Sequence, residues 1–304
     1  MRLKSLFSVK VWTNWYLQSS LSHILPDEIY LKLKYKNLLG TSLDLNNPKT
    51  FNEKLQWLKL YNRKPEYTMM VDKYLVREYI SEKIGKEYLI PLIGVWDDPD
   101  DINFNDLPDK FVLKCNHNSG LGMCICRDKS KLDIKKAREN LKHGMAQDYY
   151  MTGREWPYKD VKRKIICEKF MSNPNEVALK DYKIQCLNGN IDHIFVCVGR
   201  EDRNNVRYYY FDKNWNYLDY SINERTDETY LNSLKPRNFD EMIKIAKKLS
   251  DGIPEIRVDL YEIEGKIYFG ELTFYTQSGF DATITYKADC EIGKRLVLPE
   301  RSKK

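Results

Sequence analysis

Apolar positions recur at intervals of three and four residues in the first part of the chain, and this spacing is typical of amphipathic helices. Pro26 to Tyr35 shows it, and Thr50 to Glu53 has the form of a capping box that opens a helix from Phe51 to about Tyr61. A further helix is predicted from about Thr68 to Ile84. The pattern therefore predicts an N-terminal helical region over residues 1–66 and another helix directly after it.

Short alternating or apolar runs replace the helical spacing from Lys110 onward, and such runs favour β-strands. Helical spacing returns at Lys135 to about Tyr149 and at Phe239 to Leu249. Hairpin-like strand runs with helices grouped between them predict an α+β fold built mainly on antiparallel sheets. The predicted strands cover residues 111–114, 122–126, 165–170, 182–187, 192–198, 207–211, 256–261 and 267–274.

Charge and length narrow the class of ligand. The 304 residues carry 50 basic and 44 acidic side chains, a formal net charge of +6. This mild excess suits an anionic ligand such as a nucleotide, but it falls far short of a nucleic-acid-binding tail. A chain of this length can bury a full core, and we expect two or three subdomains.

The cysteine content and the N-terminal sequence indicate the cellular compartment that we expect for the protein. The seven cysteines form an odd set without a C-x-x-C pair, which predicts buried, reduced thiols in a cytosolic protein. Residues 1–12 are basic and partly apolar, yet Lys10 and Asn14 interrupt them before a signal sequence could form. No apolar window approaches the length of a membrane span. We expect a soluble, cytoplasmic protein, and weak attachment to the inner membrane surface stays open.

A loop with two glycines joins two predicted strands within residues 111–126. Gly120 and Gly122 would let the backbone approach phosphate oxygens, and Lys114 would place an ammonium group beneath them. No Gly-Lys-Ser/Thr follows, so the loop is not a Walker A sequence. An ordinary hairpin explains the same pattern, and His117 reads either as a ligand-facing donor or as a solvent-exposed histidine.

Arg257, Asp259 and Glu271 fall on two predicted strands that are joined through Gly265, and oxygen-only ligands of this kind suit Mg²⁺. The strand register decides whether the carboxylates can cooperate. A bulged three-residue loop over 264–266 would set Asp259 opposite Glu271, whereas a two-residue turn would send them to opposite faces. The magnesium hypothesis therefore predicts a bulge or an irregular turn in this hairpin, and a half-buried hairpin with solvated charges is the alternative.

Weaker signals occur in four other segments. Ile165 to Met171 could offer backbone groups to an adenine edge, and Asp181-Tyr-Lys183 opens the next strand. Asn188-Gly189 predicts a two-residue hairpin, and Lys73 could add a positive charge near a phosphate. No nucleophile arrangement and no strand-linked G-x-G-x-x-G fingerprint is present, so neither covalent catalysis nor a Rossmann site has support in the sequence.

The order of these segments resembles that of an ATP-grasp ligase, over about Asn47 to Phe280. More narrowly, three sets of residues look like the teichuronopeptide-biosynthesis (TupA-like) branch of that superfamily. They are Phe51-Asn-Glu-Lys-Leu-Gln-Trp57, Asp181-Tyr-Lys183 with Asn188-Gly189, and Phe269-Gly-Glu-Leu-Thr-Phe-Tyr275 with Ser278-Gly-Phe280. The branch is associated with bacterial capsule and cell-surface polysaccharide synthesis.

The resemblance implies ATP and Mg²⁺ held between two antiparallel sheets, in a catalytic region over residues 67–304. Within it, a glycine-loop lid would cover about 110–170 and a magnesium-binding core about 171–290. The implied phosphate contacts are Lys73, Lys114 and the loop residues Ser119, Gly120 and Gly122, and Arg257 would stabilise the transferring phosphoryl group or the acyl phosphate. The remaining implied residues are Glu168, Lys169 and Phe170 at the adenine hinge, Glu176 at the ribose, Asp181 and Lys183 elsewhere in the cofactor site, and Asp259 and Glu271 at the metal.

Thr273 departs from the pattern, because general ATP-grasp enzymes have asparagine two residues after the metal glutamate. A hydroxyl can still coordinate Mg²⁺, but a shorter side chain with one oxygen is expected to weaken or relocate a second metal ion. The implied reaction is phosphorylation of a carboxylate by ATP, followed by attack of an amine on the acyl phosphate. Family association alone suggests a uronic acid or peptide carboxylate, and an amino acid or amino sugar as the amine.

Two other functions stay open from the sequence. A glycosyltransferase of capsule assembly would require a D-x-D-type metal motif or a sugar-nucleotide Rossmann pair, and neither is convincing. A non-enzymatic module that binds a polyanion would require a clustered basic stripe, whereas basic and acidic residues alternate throughout.

Overall fold

The structure is a computed structural model that describes residues 9–173, 179–199, 206–222 and 226–301. Its first part is helical, and the rest combines strands with helices between them. The helices of the described ranges are α1 (Val9–Gln18), α2 (Asp27–Leu39), α3 (Phe51–Tyr61), α4 (Glu66–Val71), α5 (Val76–Lys83), α6 (Ile134–Ala146), α7 (Tyr149–Gly153), α8 (Glu228–Ser233), α9 (Phe239–Leu249) and α10 (Tyr286–Arg295).

Two antiparallel sheets form the body of the fold, which confirms the predicted α+β class. A four-stranded sheet with the order β1-β4-β2-β3 contains β1 (Leu92–Trp96), β2 (Phe111–Cys115), β3 (Cys124–Cys126) and β4 (Ile165–Lys169). A six-stranded sheet with the order β10-β9-β5-β6-β7-β8 contains β5 (Asp181–Leu187), β6 (Asn190–Val198), β7 (Arg207–Phe211), β8 (Tyr217–Leu218), β9 (Glu255–Ile263) and β10 (Lys266–Thr273).

Strand β9 separates an apolar face from a charged one, and this alternation decides where the charges gather. Ile256, Val258 and Leu260 are fully buried on the face that α9 covers. Because successive side chains of a strand point to opposite faces, Arg257 and Asp259 lie together on the other face. The six-stranded sheet therefore has one face for the core and one for a polar site.

The N-terminal helices share a continuous core with the six-stranded sheet. Leu31 of α2, Leu55 of α3 and Ile80 of α5 are fully buried in the same cluster as the apolar face of β9. A second, smaller core lies under the four-stranded sheet, where Phe111 and Leu141 bring β2 and α6 together. The first helices are thus packed onto the sheet that carries the polar site.

The single helix predicted over residues 68–84 is wrong, since the structure has two shorter helices there, α4 and α5. The Asp72 side chain accepts hydrogen bonds from the backbone N–H groups of Tyr74 (2.8 Å) and Leu75 (3.2 Å). Such side-chain bonds compete with the helical ladder. The break places Lys73 in a turn, from which its side chain reaches the glycine loop.

Of the other predicted elements, the strands and one hairpin are confirmed, and some helix boundaries differ. The predicted strands appear with boundaries within two residues, and Asn188-Gly189 forms the predicted two-residue hairpin with positive φ at both positions. The helix predicted to reach about Tyr149 ends at Ala146, and α7 follows as a separate helix. Strands β1 and β8 and helices α8 and α10 were not predicted, because their short or mixed segments lack a clear period.

Candidate active site

Asp259 and Glu271 lie directly opposite each other in the β9–β10 hairpin, as the magnesium hypothesis requires. The turn itself is regular, because Glu264 and Gly265 form a two-residue loop with φ values of 48° and 75°. The predicted three-residue loop is therefore wrong. The irregularity lies at Gly270, where a β-bulge shifts the pairing by one residue and restores the alignment of the carboxylates.

Arg257 binds Asp259 in a two-pronged ion pair on the same strand. Its Nε lies 2.6 Å from Asp259 Oδ1 and its Nη2 2.7 Å from Oδ2. The same Nη2 donates to Thr273 Oγ1 at 2.9 Å and lies 3.3 Å from Glu271 Oε1. Burial alone would lower the pKa of Arg257, but Asp259 and Glu271 outweigh it and raise the pKa. Arg257 is therefore a fixed cation beside both carboxylates.

Lys183 adds a second buried cation to this cluster. Its Nζ lies 2.6 Å from Asp181 Oδ2 and also pairs with Asp259. Burial would lower the pKa of Lys183, as Arg257 does, but the carboxylates of Asp181 and Asp259 outweigh both effects and raise it. Burial likewise opposes ionisation of Asp259, and Arg257 and Lys183 overcome it, so that the pKa of Asp259 falls. The four side chains form a buried network of charges.

Lys73 connects the six-stranded sheet to the glycine loop. Its Nζ donates to the carbonyl oxygen of Asn118 at 2.6 Å and lies 3.9 Å from Glu271 Oε2. Burial lowers the pKa of Lys73, and the neighbouring Lys114 acts in the same direction. The turn between α4 and α5 thus supplies an ammonium group that faces both sheets.

Lys114 and Glu168 form an ion pair on the four-stranded sheet, with Lys114 Nζ 2.6 Å from Glu168 Oε2. Arg77 of α5 was not singled out from the sequence, and its Nη1 lies 3.1 Å from the other oxygen of Glu168. The same arginine donates to the backbone oxygen of Ile90 at 2.8 Å. Glu168 therefore holds two cations at the edge of the site.

The predicted adenine-hinge residues do not converge on one point. Glu168 is turned into its ion pairs, whereas the Lys169 side chain is exposed and its N–H donates to the backbone oxygen of Pro91 at 2.9 Å. The Phe170 ring packs under the guanidinium group of Arg127, 5.1 Å from the ring centre. Glu176, the predicted ribose contact, lies outside the described residues.

The glycine loop is anchored in its first half and open at its tip. Asn116 accepts the N–H of Lys164 at 2.7 Å and donates to Asp72 at 2.9 Å, while Asn118 donates to the backbone oxygen of Gly144 at 3.2 Å. These residues are buried, whereas Ser119 and the following Gly120 are exposed. A loop of this form can present its tip without moving its base.

The two loop glycines have different reasons to be glycine. A β-carbon at Gly122 would lie 2.8 Å from the Cα of Gly144, so this position is explained by packing against α6. Gly120 has a φ of 84° and open space around it. The backbone of Gly120 is therefore the part of the loop that a phosphate can approach.

His117 is neither of the two alternatives that the sequence left open. It is only 3 % exposed, and its Nε2 lies 3.2 Å from the backbone oxygen of Gln147 at the end of α6. Burial lowers the pKa of His117 to about 4. The histidine is thus a neutral anchor for the base of the loop.

A polar face of α3 holds the segment that follows β10, and sequence reasoning missed this role. Asn52 bonds both backbone groups of Asp281, at 2.8 and 3.1 Å. Gln56 Nε2 donates to the Ser278 oxygen at 3.1 Å, and Lys59 Nζ donates to the same oxygen at 2.7 Å. The three side chains are at most 1 % exposed and share one helical face, and this spacing was the available signal.

The segment that α3 holds has an unusual backbone. Tyr275, Gln277 and Ser278 adopt left-handed φ values of 59°, 50° and 55°. A non-glycine residue costs roughly 1–3 kcal/mol in such a conformation, and it persists only where surrounding contacts enforce it. Because the segment begins two residues after Thr273, it forms a strained wall beside the carboxylate pair.

A second polar wall comes from α7 and the turn after it. The rings of Tyr149 and Tyr158 meet edge to face at 4.7 Å, and Tyr149 interacts with Ser119 of the glycine loop. Glu155 lies between them in sequence and is only 4 % exposed. Burial raises the pKa of Glu155, whereas the nearby Lys59 opposes the shift. These residues close the space between the loop tip and the strained segment.

The oxygen donors fit a magnesium ion that shares its coordination with a phosphate. Among the described residues, no three His, Cys, Asp or Glu side chains gather as a metal cluster. Mg²⁺ usually takes one or two carboxylates and completes its shell with phosphate and water. Glu271, whose side chain is 35 % exposed, offers the more available carboxylate, because both oxygens of Asp259 already accept from Arg257 or Lys183.

Comparison with known proteins places the chain among the ATP-grasp enzymes. The model of the TupA-like ATP-grasp family matches residues 53–297. The chain therefore belongs to the TupA-like ATP-grasp family. This finding confirms the predicted family and enzyme class.

Solved ATP-grasp ligases are among the structures that resemble the chain. D-alanine–D-alanine ligase from Helicobacter pylori is 17 % identical, with a TM-score of 0.43 over 81 % of this chain and 69 % of that chain. The ligase PsnB, complexed with a precursor variant, Mg and ADP, is 12 % identical, with a TM-score of 0.42 over 95 % and 74 %. D-alanine–D-alanine ligase from Bacillus anthracis, complexed with ATP, is 14 % identical, with a TM-score of 0.38 over 68 % of this chain and 54 % of that chain. The chain therefore spans about half of that enzyme. No curated protein gives a significant match.

Proposed function

We propose that this chain is an ATP- and Mg²⁺-dependent carboxylate–amine ligase that forms an amide bond through an acyl phosphate. The observation that carries the proposal is the convergence of Lys73 and Arg257 on the paired carboxylates Asp259 and Glu271, with Lys114 held by Glu168 near Lys73. Phosphoryl transfer requires fixed charges and positioning more than covalent help from the protein. A cluster of largely buried cations and two carboxylates supports this chemistry.

In this proposal each cation has a separate task. Lys73 and Lys114 hold the phosphates from two sides, and Arg257 stabilises the charge of the transferring phosphoryl group. The exposed tip at Ser119 and Gly120 covers the phosphates, so that residues 110–170 act as the lid over a metal-binding core at 171–290. Lys183 and Asp181 keep the charge network of the core in place.

Glu271 would hold Mg²⁺ as the first ligand, with Asp259 and the Thr273 hydroxyl on the same face. A bound Mg²⁺ would supply charge neutralisation at the phosphoryl oxygens. Arg257 ties the donors together, because one of its nitrogens contacts Asp259, Glu271 and Thr273. The donor set is therefore held in one geometry by a single guanidinium group.

The proposed reaction balances in two steps. An oxygen of the substrate carboxylate attacks the terminal phosphorus of ATP, and the bond from that phosphorus to ADP breaks. The nitrogen of the amine then attacks the acyl carbon, the bond from that carbon to phosphate breaks, and one proton leaves the nitrogen. The protein supplies position and charge for both steps.

The place of the reaction is proposed from family association. We propose that the enzyme acts in bacterial capsule or cell-surface polysaccharide synthesis. The carboxylate would belong to a uronic acid or a peptide, and the amine to an amino acid or an amino sugar.

An ADP-release screen tests the proposal. The purified protein is offered uronic acids and amino acids in pairs with ATP and Mg²⁺, and the product mass is determined. Glu271→Gln should abolish amine-dependent ADP release and keep the fold, whereas Glu264→Gln at the exposed turn of the same hairpin should keep both. Unchanged turnover in Glu271→Gln would remove the metal assignment, and thermal stabilisation by a UDP-sugar alone would contradict the ligase.

A further inference from the structure

Exposed apolar side chains are concentrated on α1, α2 and the turn between them, which we call the α1–α2 surface. Eighteen large hydrophobic side chains are exposed among the described residues, and nine of them lie within residues 9–38. Val9 is 80 % exposed, Ile24 84 % and Trp12 58 %. Scattered apolar side chains are ordinary on a protein surface, but a concentration of this kind marks an interaction site.

The α1–α2 surface also carries a net positive charge. Residues 9–39 contain four basic and two acidic side chains, a net charge of +2. Lys10 and Lys36 are exposed among the apolar residues. The two acidic residues are neutralised locally, since Asp27 pairs with Arg63 at 2.7 Å and Glu28 with Lys32 at 2.6 Å. The surface therefore complements an anionic partner.

Two tryptophans identify the kind of partner. Trp12 and Trp15 of α1 are 58 % and 57 % exposed, and their rings meet edge to face at 6.0 Å. Tryptophan favours the boundary between lipid headgroups and acyl chains, because its ring is apolar and its N–H is polar. A short helix with exposed aromatic and basic residues is typical of a segment that lies in the membrane interface.

The inner side of the surface is fixed to the body of the protein. Tyr30 of α2 donates to the backbone oxygen of Thr152 at 3.0 Å, and Arg154 donates to the backbone oxygen of Ser22 at 2.9 Å. The residues of the proposed catalytic cluster lie on other elements. A partner on the outer side can therefore bind without covering the cleft.

We propose that the α1–α2 surface docks the protein on an anionic lipid membrane. Trp12 and Trp15 enter the headgroup region, and Lys10 and Lys36 lie against the lipid phosphates. The proposed attachment is peripheral. No helix of the described residues is long and apolar enough to cross a membrane. It does not depend on the proposed ligase reaction.

Vesicle sedimentation tests the proposal with the whole chain. The protein should sediment with phosphatidylcholine vesicles that contain phosphatidylglycerol, and much less with phosphatidylcholine alone. Trp12→Ala with Trp15→Ala should abolish sedimentation, and Lys10→Gln and Lys36→Gln should each weaken it by about fivefold at low salt. Tyr286→Ala with Val297→Ala is the matched control, because these side chains are 75 % and 67 % exposed elsewhere and should leave binding unchanged.

Three results would overturn the docking proposal. One is absence of binding to either kind of vesicle, and another is equal binding to both kinds. The third is a dimer that forms with rising protein concentration in sedimentation velocity without lipid and is lost in the variant with both tryptophan substitutions. This surface would then bind a second copy of the chain. ADP release without vesicles should be the same in the tryptophan variant and the wild type, so loss of docking and failure of the ligase are distinguishable.

Discussion

Gly270 lies so close to the backbone of Asp259 that a β-carbon at this position would be 3.0 Å from the Asp259 carbonyl oxygen. It would also be 2.9 Å from the ring of Tyr261. This close approach occurs at the bulge that brings Glu271 opposite Asp259. The alignment of the two carboxylates thus depends on one residue without a side chain.

Gly270→Ala should therefore damage the proposed metal site from outside it. Overpacking of this kind is expected to lower the free energy of unfolding by about 1–3 kcal/mol. The KM for Mg²⁺ in the ADP-release assay should rise, because a shifted bulge misaligns Glu271. Urea denaturation and magnesium titration measure the two effects.

Gly265→Ala is the control for Gly270→Ala. Gly265 has a φ of 75° but open space around it, so the substitution strains the turn without pushing on the bulge. It should reduce stability and leave the KM for Mg²⁺ unchanged. An equal change in that KM for both variants would show that register does not govern the site.

We expect Thr273 to support magnesium binding in two ways, as a ligand of the metal and as a hydrogen-bond partner of Arg257. Thr273→Val removes the oxygen that accepts from Arg257 Nη2 at 2.9 Å and lies 3.4 Å from Glu271 Oε1. We expect a loss of about 10- to 100-fold in magnesium affinity, as for other residues that orient a metal ligand. Magnesium dependence of ADP release measures this, and Thr273→Ser, which keeps the hydroxyl, should stay near the wild type. A Val variant with normal magnesium dependence would contradict the role.

The strands and the charged face were predictable because they follow from local alternation. Arg257 and Asp259 are two residues apart on an extended segment, so they share a face whatever else the fold does. The register of Glu271 was not predictable in the same way. It depends on the contact of Gly270 with residues nine and eleven positions earlier, which only the folded hairpin brings together.

Long-range contacts also explain what the sequence did not reveal around the site. Gln56 and Lys59 are polar residues on a helix, and their partner Ser278 lies more than 200 residues later. His117 is buried because α6 ends above the glycine loop, which its own neighbours in the sequence do not indicate. Local sequence patterns were enough to predict the candidate catalytic residues. The residues that hold the glycine loop and the strained segment could be recognised only from tertiary contacts.

Lys59→Met should separate stability from substrate handling. The substitution removes two bonds of 2.7 Å, to the carbonyl oxygens of Gly153 and Ser278, and leaves Gln56 as the side-chain donor to Ser278. We expect a loss of about 1–3 kcal/mol in the free energy of unfolding, since removal of a buried charge offsets part of the damage. Once the strained segment relaxes, kcat with the amine substrate should fall while the KM for ATP stays unchanged.

Lys54→Met provides the comparison for Lys59→Met on the same helix. Lys54 Nζ donates to the backbone oxygen of Leu296 at 2.7 Å, on the side of α3 that faces the end of α10. This variant should lose some stability and keep kcat. If both variants lowered kcat equally, the hold of α3 on the strained segment would have no special role in catalysis.

Acid should loosen the glycine loop through His117. Its folded pKa of about 4 lies below the ordinary value of 6.5, because burial disfavours the charged ring and Arg163 and Lys73 add to this effect, while the hydrogen bond to Gln147 and the charge of Asp148 oppose it. Between these values the unfolded chain binds more protons than the folded one, so stability falls as the pH decreases from 6.5 to 4. The difference amounts to about 3 kcal/mol.

His117→Gln removes this titration, whereas His143→Gln, at an exposed position of α6, should leave it unchanged. Urea denaturation at pH 7 and at pH 4.5 gives the change in the free energy of unfolding for each variant and for the wild type. The comparison with the wild type removes the contribution of carboxylates that titrate in the same pH range. The His117 variant should lose less stability on acidification than the wild type. An identical pH dependence in all three proteins would mean that the histidine is already protonated, or already exposed, in the folded state. Burial of a neutral imidazole ring would then not contribute to the stability of the loop base.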